Sequence, residues 1–427
     1  LLLLFSMAVP FVWGMKDLLD YIPQLKQFRS VGRFNWVFYY VFTVYVAHYI
    51  YVLYKRLKQK QLRAMAQFFM FSMLVLWFAN DYAYLKHVRQ ANAYVFKENF
   101  FKENYLQEYQ DALNAVGFNV DDYQAMIGLP LIYKGSEKLG IFNSRPSYRE
   151  SFHFSYHLGL PMMNAASPRM PIEKSMKIGQ LWSDSLIQRE ILDEMPSQKP
   201  FLGIVFDNED FPMKDYEQRI VDKSKLIAKV KHVHFYEVPL SAFEHQTTNV
   251  IEQSAAKDSL FDFKSNDQTY YSDIANISCF KHWTFDDLEA EATRNGTGAL
   301  QKGKRTTVEL FNDTLPATDT MILSYWMKND YLYHRPNLHY KLYDPEGNEI
   351  YAMSVDAAKA LNYQNGWVMV EIEIKPQPTG FKHYIYVPDI KKIIVDDVVI
   401  RPKAANVFWE NSDNEHFMFN NIQIRTE

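Results

Sequence analysis

Hydrophobic and polar positions fall into three regimes along this chain: long apolar runs, then a mixed helical and strand-like middle, then alternation with a period of two. Asn35–Tyr54 carries no formal charge over twenty residues and Ala64–Asn80 none over seventeen. Each predicts a membrane-spanning helix, since about 20 apolar residues at 1.5 Å rise cross the hydrocarbon core. The link between them, Lys55-Arg-Leu-Lys-Gln-Lys-Gln-Leu-Arg63, holds five cations and no acid, the sign expected of a cytoplasmic loop. That loop orients both flanks outward. Two buried core helices of a soluble protein are the competing reading. Trp36, Tyr51, Tyr54 and Trp77 at the run ends favour the membrane, because amphipathic rings collect at its interface.

Leu1–Trp13 is a third apolar run without a basic n-region or a small-residue cleavage motif, so it reads as the tail of another transmembrane helix. The expectation is the C-terminal piece of a longer polytopic protein. Gly14–Phe34 places Leu18, Leu19, Tyr21, Ile22, Leu25 and Phe28 at amphipathic spacing and is expected to lie along the outer membrane surface.

From Asp81 the chain turns polar, and Ala91–Phe118 reads as helical up to Gly117. Ala125–Tyr133, Phe201–Phe206 and His232–Val238 are predicted buried strands, with helical patterns at Ile172–Glu194 and Met213–Val230 between them. That order predicts an extracytoplasmic α/β domain over 81–250 with a largely parallel sheet. It has no glycine-rich phosphate cradle at its strand ends. Ser241–Ser272 is polar, and 251–273 is expected as a linker.

Beyond it Thr306–Phe311, Met321–Lys328, Leu338–Tyr343, Val368–Ile374, Tyr384–Val387, Ile393–Ile400 and Asn421–Ile424 are short strand-like runs. They predict an antiparallel β-sandwich over 274–427, independent of what precedes it. Asp344-Pro-Glu-Gly-Asn348 is a hairpin turn. Val370, Ile372 and Ile374 share one face, which puts Glu371, Glu373 and Trp367 on the other. The predicted fold class is therefore transmembrane α-helices, an α/β layer and an antiparallel sandwich.

A length of 427 residues leaves room for two or three domains, and the formal net charge of −4 gives no field that would attract nucleic acid. The single Cys279 cannot form an intramolecular disulfide and has no cysteine partner for structural zinc. No motif calls for a cofactor.

Candidate chemistry is sparse. Arg29 and Arg33, spaced i, i+4, can present guanidinium forks to a diphosphate or lipid phosphate; plain headgroup contact is the simpler alternative. His153 and His157 have a helical zinc-ligand spacing without the glutamate of an HExxH motif, so a structural role is favoured, as it is for His232 and His234 on a strand. Asp207, Glu209 and Asp210 could bind a metal, but they sit where a helix begins and are expected to cap it. Trp326 and Trp367 are the sugar-stacking candidates, with core packing the alternative. Asp396 and Asp397 could join a cation site, but are expected to point to opposite sides of a final strand.

Parts of the chain resemble two known families. Gln27-Phe-Arg-Ser-Val-Gly-Arg-Phe34 before a late membrane helix resembles YfhO-like bacterial membrane proteins, of the GT-C glycosyltransferase class. The resemblance implies an inner-membrane enzyme moving a sugar from a polyprenyl-phosphate carrier onto an envelope glycan or lipid, with membrane lipids as surroundings and 81–427 in the periplasm. The family's catalytic acids would lie in an early outer loop, so none is assigned here. Ile322-Leu-Ser-Tyr-Trp-Met-Lys328 and Val395-Asp-Asp-Val-Val-Ile-Arg-Pro402 resemble strands of jelly-roll carbohydrate-binding modules. A bacterial origin would leave the sequons at Asn276, Asn295 and Asn312 without meaning. The alternative function is a non-enzymatic, membrane-anchored glycan-binding or assembly protein.

The charge pattern makes a topology prediction. A reporter fused after Glu427 is expected outside the cytoplasm and one inserted in Lys55–Arg63 inside it; the reverse labelling overturns this architecture.

Overall fold

The computed structural model describes residues 34–59, 62–95, 102, 104–136, 139–164, 166–167, 170–207, 209–255, 263–264, 269–271, 280–315, 319–329, 336–378, 380–410 and 416–425. Arg29, Arg33, Cys279 and the apolar run at Leu1–Trp13 lie outside them. The chain divides into two compact units, Leu1–Asn99 and Phe100–Glu427.

In the first unit two helices, Phe34–Gln59 and Arg63–Val95, pack on one another. The turn between them closes with Leu62 N–H donating to the Leu57 carbonyl at 3.1 Å, and Ala66 is buried where the helices meet. Their apolar side chains point outward all round: Tyr40, Val44, Phe68, Phe71, Leu76 and Phe78 are exposed. A helix apolar on every side has no polar face to give to water. Among the described residues one stretch, Arg63–Gln90, is long and apolar enough to cross a membrane, and none of it is buried. This helix also continues past Asn80, the expected end of the second span, to Val95. Its 33 residues give it a length of about 50 Å. The single helical stretch expected over Ala91–Phe118 is replaced by this extension and a separate helix, Gln107–Ala115, after which Gly117 adopts φ +75°.

The second unit begins with a four-stranded sheet in the order Ala125–Leu129, Phe201–Phe206, Val233–Val238, Lys225–Val230. Only the first pair is parallel; the other two are antiparallel. The largely parallel sheet expected from the sequence is thus corrected. Met213–Val230, expected as one helix, is a helix at Asp215–Asp222 followed by the strand Lys225–Val230, which forms a hairpin with Val233–Val238 through Lys231 and His232. Lys231 takes a positive φ of 54°, a turn conformation that a lysine does not advertise. Ala125–Tyr133 likewise splits at Pro130, which has no N–H for a ladder. Ile172–Glu194 breaks into Ile172–Gly179, the 3-10 turn Gln180–Trp182 and the short helix Glu190–Asp193.

One face of this sheet (Met126, Leu202, Ile204, Phe206, Phe235) packs on Leu113 and on Phe154 of the helix Arg145–Leu158. Ser144 caps that helix by accepting the Ser147 N–H at 3.3 Å, and Gly159, at φ +71°, ends it.

The β-sandwich is organised by the 21-residue strand Lys382–Pro402. It merges the two strands expected at Tyr384–Val387 and Ile393–Ile400, and it pairs with Lys281–Trp283, Leu300–Thr314, Met321–Lys328 and Leu338–Tyr343. Trp367–Ile374 and Asn362–Gln364 extend the sheet at one edge and Glu349–Val355 at the other. The last of these is joined to Leu338–Tyr343 by the expected turn, in which the Asp344 carboxylate accepts the Asn348 N–H at 2.7 Å.

A second sheet runs in the order Ile422–Arg425, His416–Phe419, Val407–Glu410, Thr269–Tyr271, Phe263–Lys264. Its last two strands come from 251–273, the expected linker, whose start is also the end of the helix Thr248–Ala255. The short segment supplies strands to the sandwich because Val407, Phe408 and Trp409 would otherwise form a bare sheet edge.

The sandwich is not an independent body. Leu323, Tyr325, Val368, Val370, Ile372, Ile385 and Val395 share one apolar core with Ile127, Tyr133, Leu139, Trp182 and Phe243 of the α/β layer. On the other side of the large sheet, Trp326, Trp367, Met369 and Ile394 pack on Phe408, Phe417, Phe419, Ile422 and Ile424. Trp367 does lie on the face opposite Val368 and Val370, but the second sheet covers that face and leaves the indole 3% exposed. Trp367→Ala is accordingly expected to destabilise the full chain in detergent micelles by about 3–5 kcal/mol, the usual cost of truncating a buried tryptophan, read as a lowered urea midpoint. An unchanged midpoint overturns the core assignment.

Candidate functional site

Two hydrogen bonds bolt the α/β layer to the sandwich. Gln180 Nε2 donates to the Tyr363 carbonyl at 2.9 Å, and Asp184 N–H donates to Asn362 Oδ1 at 2.9 Å. Next to the bolt is a cavity of about 540 Å³ with Asp184, Asp215, Tyr216 and Arg219 on one wall and Asp356, Lys359, Asn362 and Glu371 on the other. Trp182, Leu361, Met369 and Val370 add apolar lining. The size lies within the roughly 300–1,000 Å³ of small-molecule sites.

The first wall is held by Glu217, which is fully buried. Its carboxylate accepts the N–H of Lys214 at 2.6 Å, the amide of Asn143 at 2.9 Å and the N–H of Leu131. Three donors on one carboxylate compensate its burial and fix the start of the helix Asp215–Asp222. Asn143 also donates to the Tyr216 hydroxyl at 2.8 Å, while burial pushes that phenol up to about 12. Glu217 therefore does the capping expected of Asp207, Glu209 and Asp210, which precede the helix by too many residues to reach its first turn. On the opposite wall, Asp356 caps the 3-10 turn Ala357–Lys359 through the Ala358 N–H at 3.0 Å.

Two smaller chambers flank the cleft. One of about 210 Å³ shares Tyr216 and Arg219 with it. The other, about 380 Å³, is lined by the side-chain amides of Gln180, Gln188, Gln364, Asn365 and Gln423. Amides offer both donors and acceptors, as hydroxyl-rich ligands require.

Behind the amide chamber lies a buried charge cluster. Asp396 and Asp397 do not diverge to two sides of a strand: both are buried, at an irregularity where Asp397 takes φ +49° and the pairing with Ser324–Trp326 slips. Arg294 donates to Asp397 at 2.8 Å and to Gln364 at 3.2 Å, and lies 3.9 Å over the Trp326 ring. His282 approaches Asp397 at 3.2 Å. Burial alone would raise Asp397, but the hydrogen bond to His282 and the Arg294 charge hold its carboxyl below the usual range. Burial and the neighbouring Asp397 push Asp396 up to about 7, against the pull of the Arg294, Asp397 and Asn295 N–H groups it accepts.

The expected site residues fare unevenly. Arg29 and Arg33 fall outside the described residues. Trp326 and Trp367 come together, but in the core, where neither offers a ring face to a surface sugar. Trp326 also donates Nε1–H to the Asn421 carbonyl at 2.7 Å. His153 is buried and pushed down to about 4 by burial, Arg149 and His157; its ring meets Tyr105 edge-on at 5.1 Å. His232, at the hairpin turn rather than in the strand, lies 3.6 Å from Glu150. Among the described residues no three His, Cys, Asp or Glu side chains gather as a metal site. The cleft residues were not singled out in the sequence, where Asp184, Arg219, Lys359 and Glu371 are isolated charges far apart along the chain.

No protein-family model and no curated protein sequence matches the chain. Among solved structures, the CBM22-1 xylan-binding domain from Paenibacillus barcinonensis Xyn10C is similar over 31% of this chain and 85% of its own, at 14% identity and a TM-score of 0.19. The C-terminal family 22 carbohydrate-binding module of Clostridium thermocellum Xyn10B is similar over 33% and 98%, at 14% identity and a TM-score of 0.20. A module solved with beta-1,4-galactotriose is similar over 33% and 92%, at 12% identity and a TM-score of 0.19. Likeness at this level carries no argument about a ligand, and the sandwich described above rests on its own strand pairing.

Asp396 generates a prediction with a defined sign. With its folded pKa raised, the folded state binds more protons than the unfolded one between about 4 and 7, so this group's contribution to stability is lost as pH rises through that window. His153 and His383, both pushed down by burial, act in the opposite sense over part of the same range. The comparison must therefore be a difference: the stability of Asp396→Asn relative to wild type is expected to improve steadily from pH 4 to pH 7, measured by urea unfolding. A difference that stays flat refutes the assignment.

Proposed function

We propose that this chain is membrane-attached, extracytoplasmic and glycan-binding, and that the cleft between the α/β layer and the sandwich takes the glycan. The observation that carries the proposal is the chemistry of that cleft. Carboxylates, an amide, a phenol and two cations converge from both layers around an indole and aliphatic groups, and hydroxyl-rich ligands with apolar C–H faces need that mixture. The outward-facing apolar surface of the two helices, with the basic link Lys55–Arg63 at their turn, supports the membrane attachment. Transfer of a sugar from a polyprenyl-phosphate carrier remains an expectation of the YfhO-like resemblance, since Arg29 and Arg33, which would hold the carrier, lie outside the described residues.

The test uses the full chain in detergent micelles, titrated with fragments of envelope polysaccharide in a calorimeter. Glu371 and Lys359 are exposed in the cleft, and Glu371 also faces the charge of the buried Arg401. Glu371→Gln and Lys359→Ala are each expected to weaken binding about tenfold, the loss of one charge-assisted hydrogen bond or about 1.4 kcal/mol, with Tm unchanged in Lys359→Ala and lowered in Glu371→Gln by the lost charge opposite Arg401. Undiminished binding in both variants, or no glycan binding by the wild type, refutes the proposal.

A further inference from the structure

The small chamber beside the cleft contains a group whose needs the protein itself does not meet. Arg189 is only 6% exposed. Its Nη2 donates to the Ser183 carbonyl at 3.0 Å and its Nη1 to the Ile187 carbonyl, while Nε has no hydrogen-bond partner. The Arg219 guanidinium donates to the same Ser183 carbonyl at 3.3 Å. Two like charges thus meet at one neutral acceptor, and among the described residues no carboxylate comes within 4.0 Å of either guanidinium. Burial and the Arg219 charge draw Arg189 down to about 10, with Asp184 opposing from a distance. A buried cation left unpaired is costly, and a bound anion removes that cost.

The two chambers differ in sign. The 210 Å³ chamber is lined by Arg189, Arg219 and Lys223 against Asp222 and Glu244, both exposed. In the 540 Å³ cleft, acids outnumber cations, with Arg219 on the wall common to both. A volume of 210 Å³ falls below that of whole-ligand sites, about 300–1,000 Å³, and suits a charged substituent.

We infer that the chamber is an oxyanion subsite, so that the ligand of the cleft is an acidic glycan bearing a carboxylate or a phosphate group. This rests on the glycan-binding reading above and narrows its ligand class. The substituent enters between Arg189 and Arg219, while the sugar ring stays in the larger cleft against Tyr216. Arginine suits the task because its planar fork meets both oxygens of such a group.

Calorimetry on the full chain in detergent, at fixed ionic strength, separates the possibilities with four probes: D-glucuronate, glucose 6-phosphate, D-glucose and inorganic phosphate. At least one of the acidic sugars is expected to bind at least tenfold more tightly than glucose, and which one does so distinguishes carboxylate from phosphate. Arg219→Ala is expected to bring that ratio near one, and Arg219→Lys to restore part of it. Arg219 is exposed on a helix surface, so these variants probe the subsite without altering the buried Arg189. Equal affinity for acidic and neutral sugars, or a preference that survives Arg219→Ala, overturns the inference and leaves glycan binding standing. Inorganic phosphate bound in an Arg219-dependent way without any sugar binding keeps the subsite and removes the glycan reading. Binding of none of the probes removes both.

Discussion

The sandwich depends on how one buried charge is neutralised. At Asp396 and Asp397 the long strand Lys382–Pro402 departs from regular pairing and sends two carboxylates inward, where isolated they would be prohibitive. Arg294, from a loop far away in sequence, answers them with its guanidinium and its own N–H, and stacks on Trp326. Asn421 then closes the other side, donating to Ser324 at 3.0 Å and to the Asp397 carbonyl at 2.8 Å while its carbonyl accepts from Trp326. The cluster therefore ties the long strand, its neighbour Met321–Lys328, the loop before Leu300 and the second sheet to one point. Such a polar knot gives little net stability compared with an apolar filling, but it tolerates only one register.

The functional cleft follows from a related constraint at the seam between layers. The α/β layer and the sandwich share an apolar core, yet the seam's outer part is polar because Gln180, Asp184 and Asn362 use it to join backbone to side chain across the layers. Groups already committed to these bonds cannot fill the space beside them. The cavity is what remains, lined by charged groups from both layers.

Much of the architecture is legible in the sequence wherever one period dominates. Met321–Lys328 and Leu338–Tyr343 have the boundaries their alternation indicates, and the Asp344–Asn348 turn follows from its own side-chain chemistry. Legibility fails where a segment's environment, not its pattern, decides. Trp367 alternates as an outward residue, but the covering sheet is assembled from strands of two to four residues, too short to show a period. Lys225–Val230 carries helical spacing and becomes a strand because the hairpin edge of the sheet claims it. Pro388 lies inside the strand Lys382–Pro402, where the pairing with Leu300–Thr314 is irregular and accommodates the missing N–H. The cleft gathers single charged residues from 184 to 371, and no linear spacing marks a set that only tertiary packing brings together.

The long strand also dictates a schedule for the growing polypeptide. Its partners begin at Lys281, yet its own last residue is Pro402, and the sheet that covers it is completed only by Ile422–Arg425. Leu338–Tyr343 can pair at once with Glu349–Val355, and Met321–Lys328 with Trp367–Ile374, but Lys281–Trp283 and Leu300–Thr314 have no neighbour until Lys382–Pro402 is made. Those two strands must wait, unpaired, on whichever side of the membrane they are delivered to. Contacts so distant along the chain form slowly, and exposed strands invite wrong pairing in the interval. The emerging chain is thus most vulnerable to aggregation and proteolysis just before Lys382–Pro402 arrives.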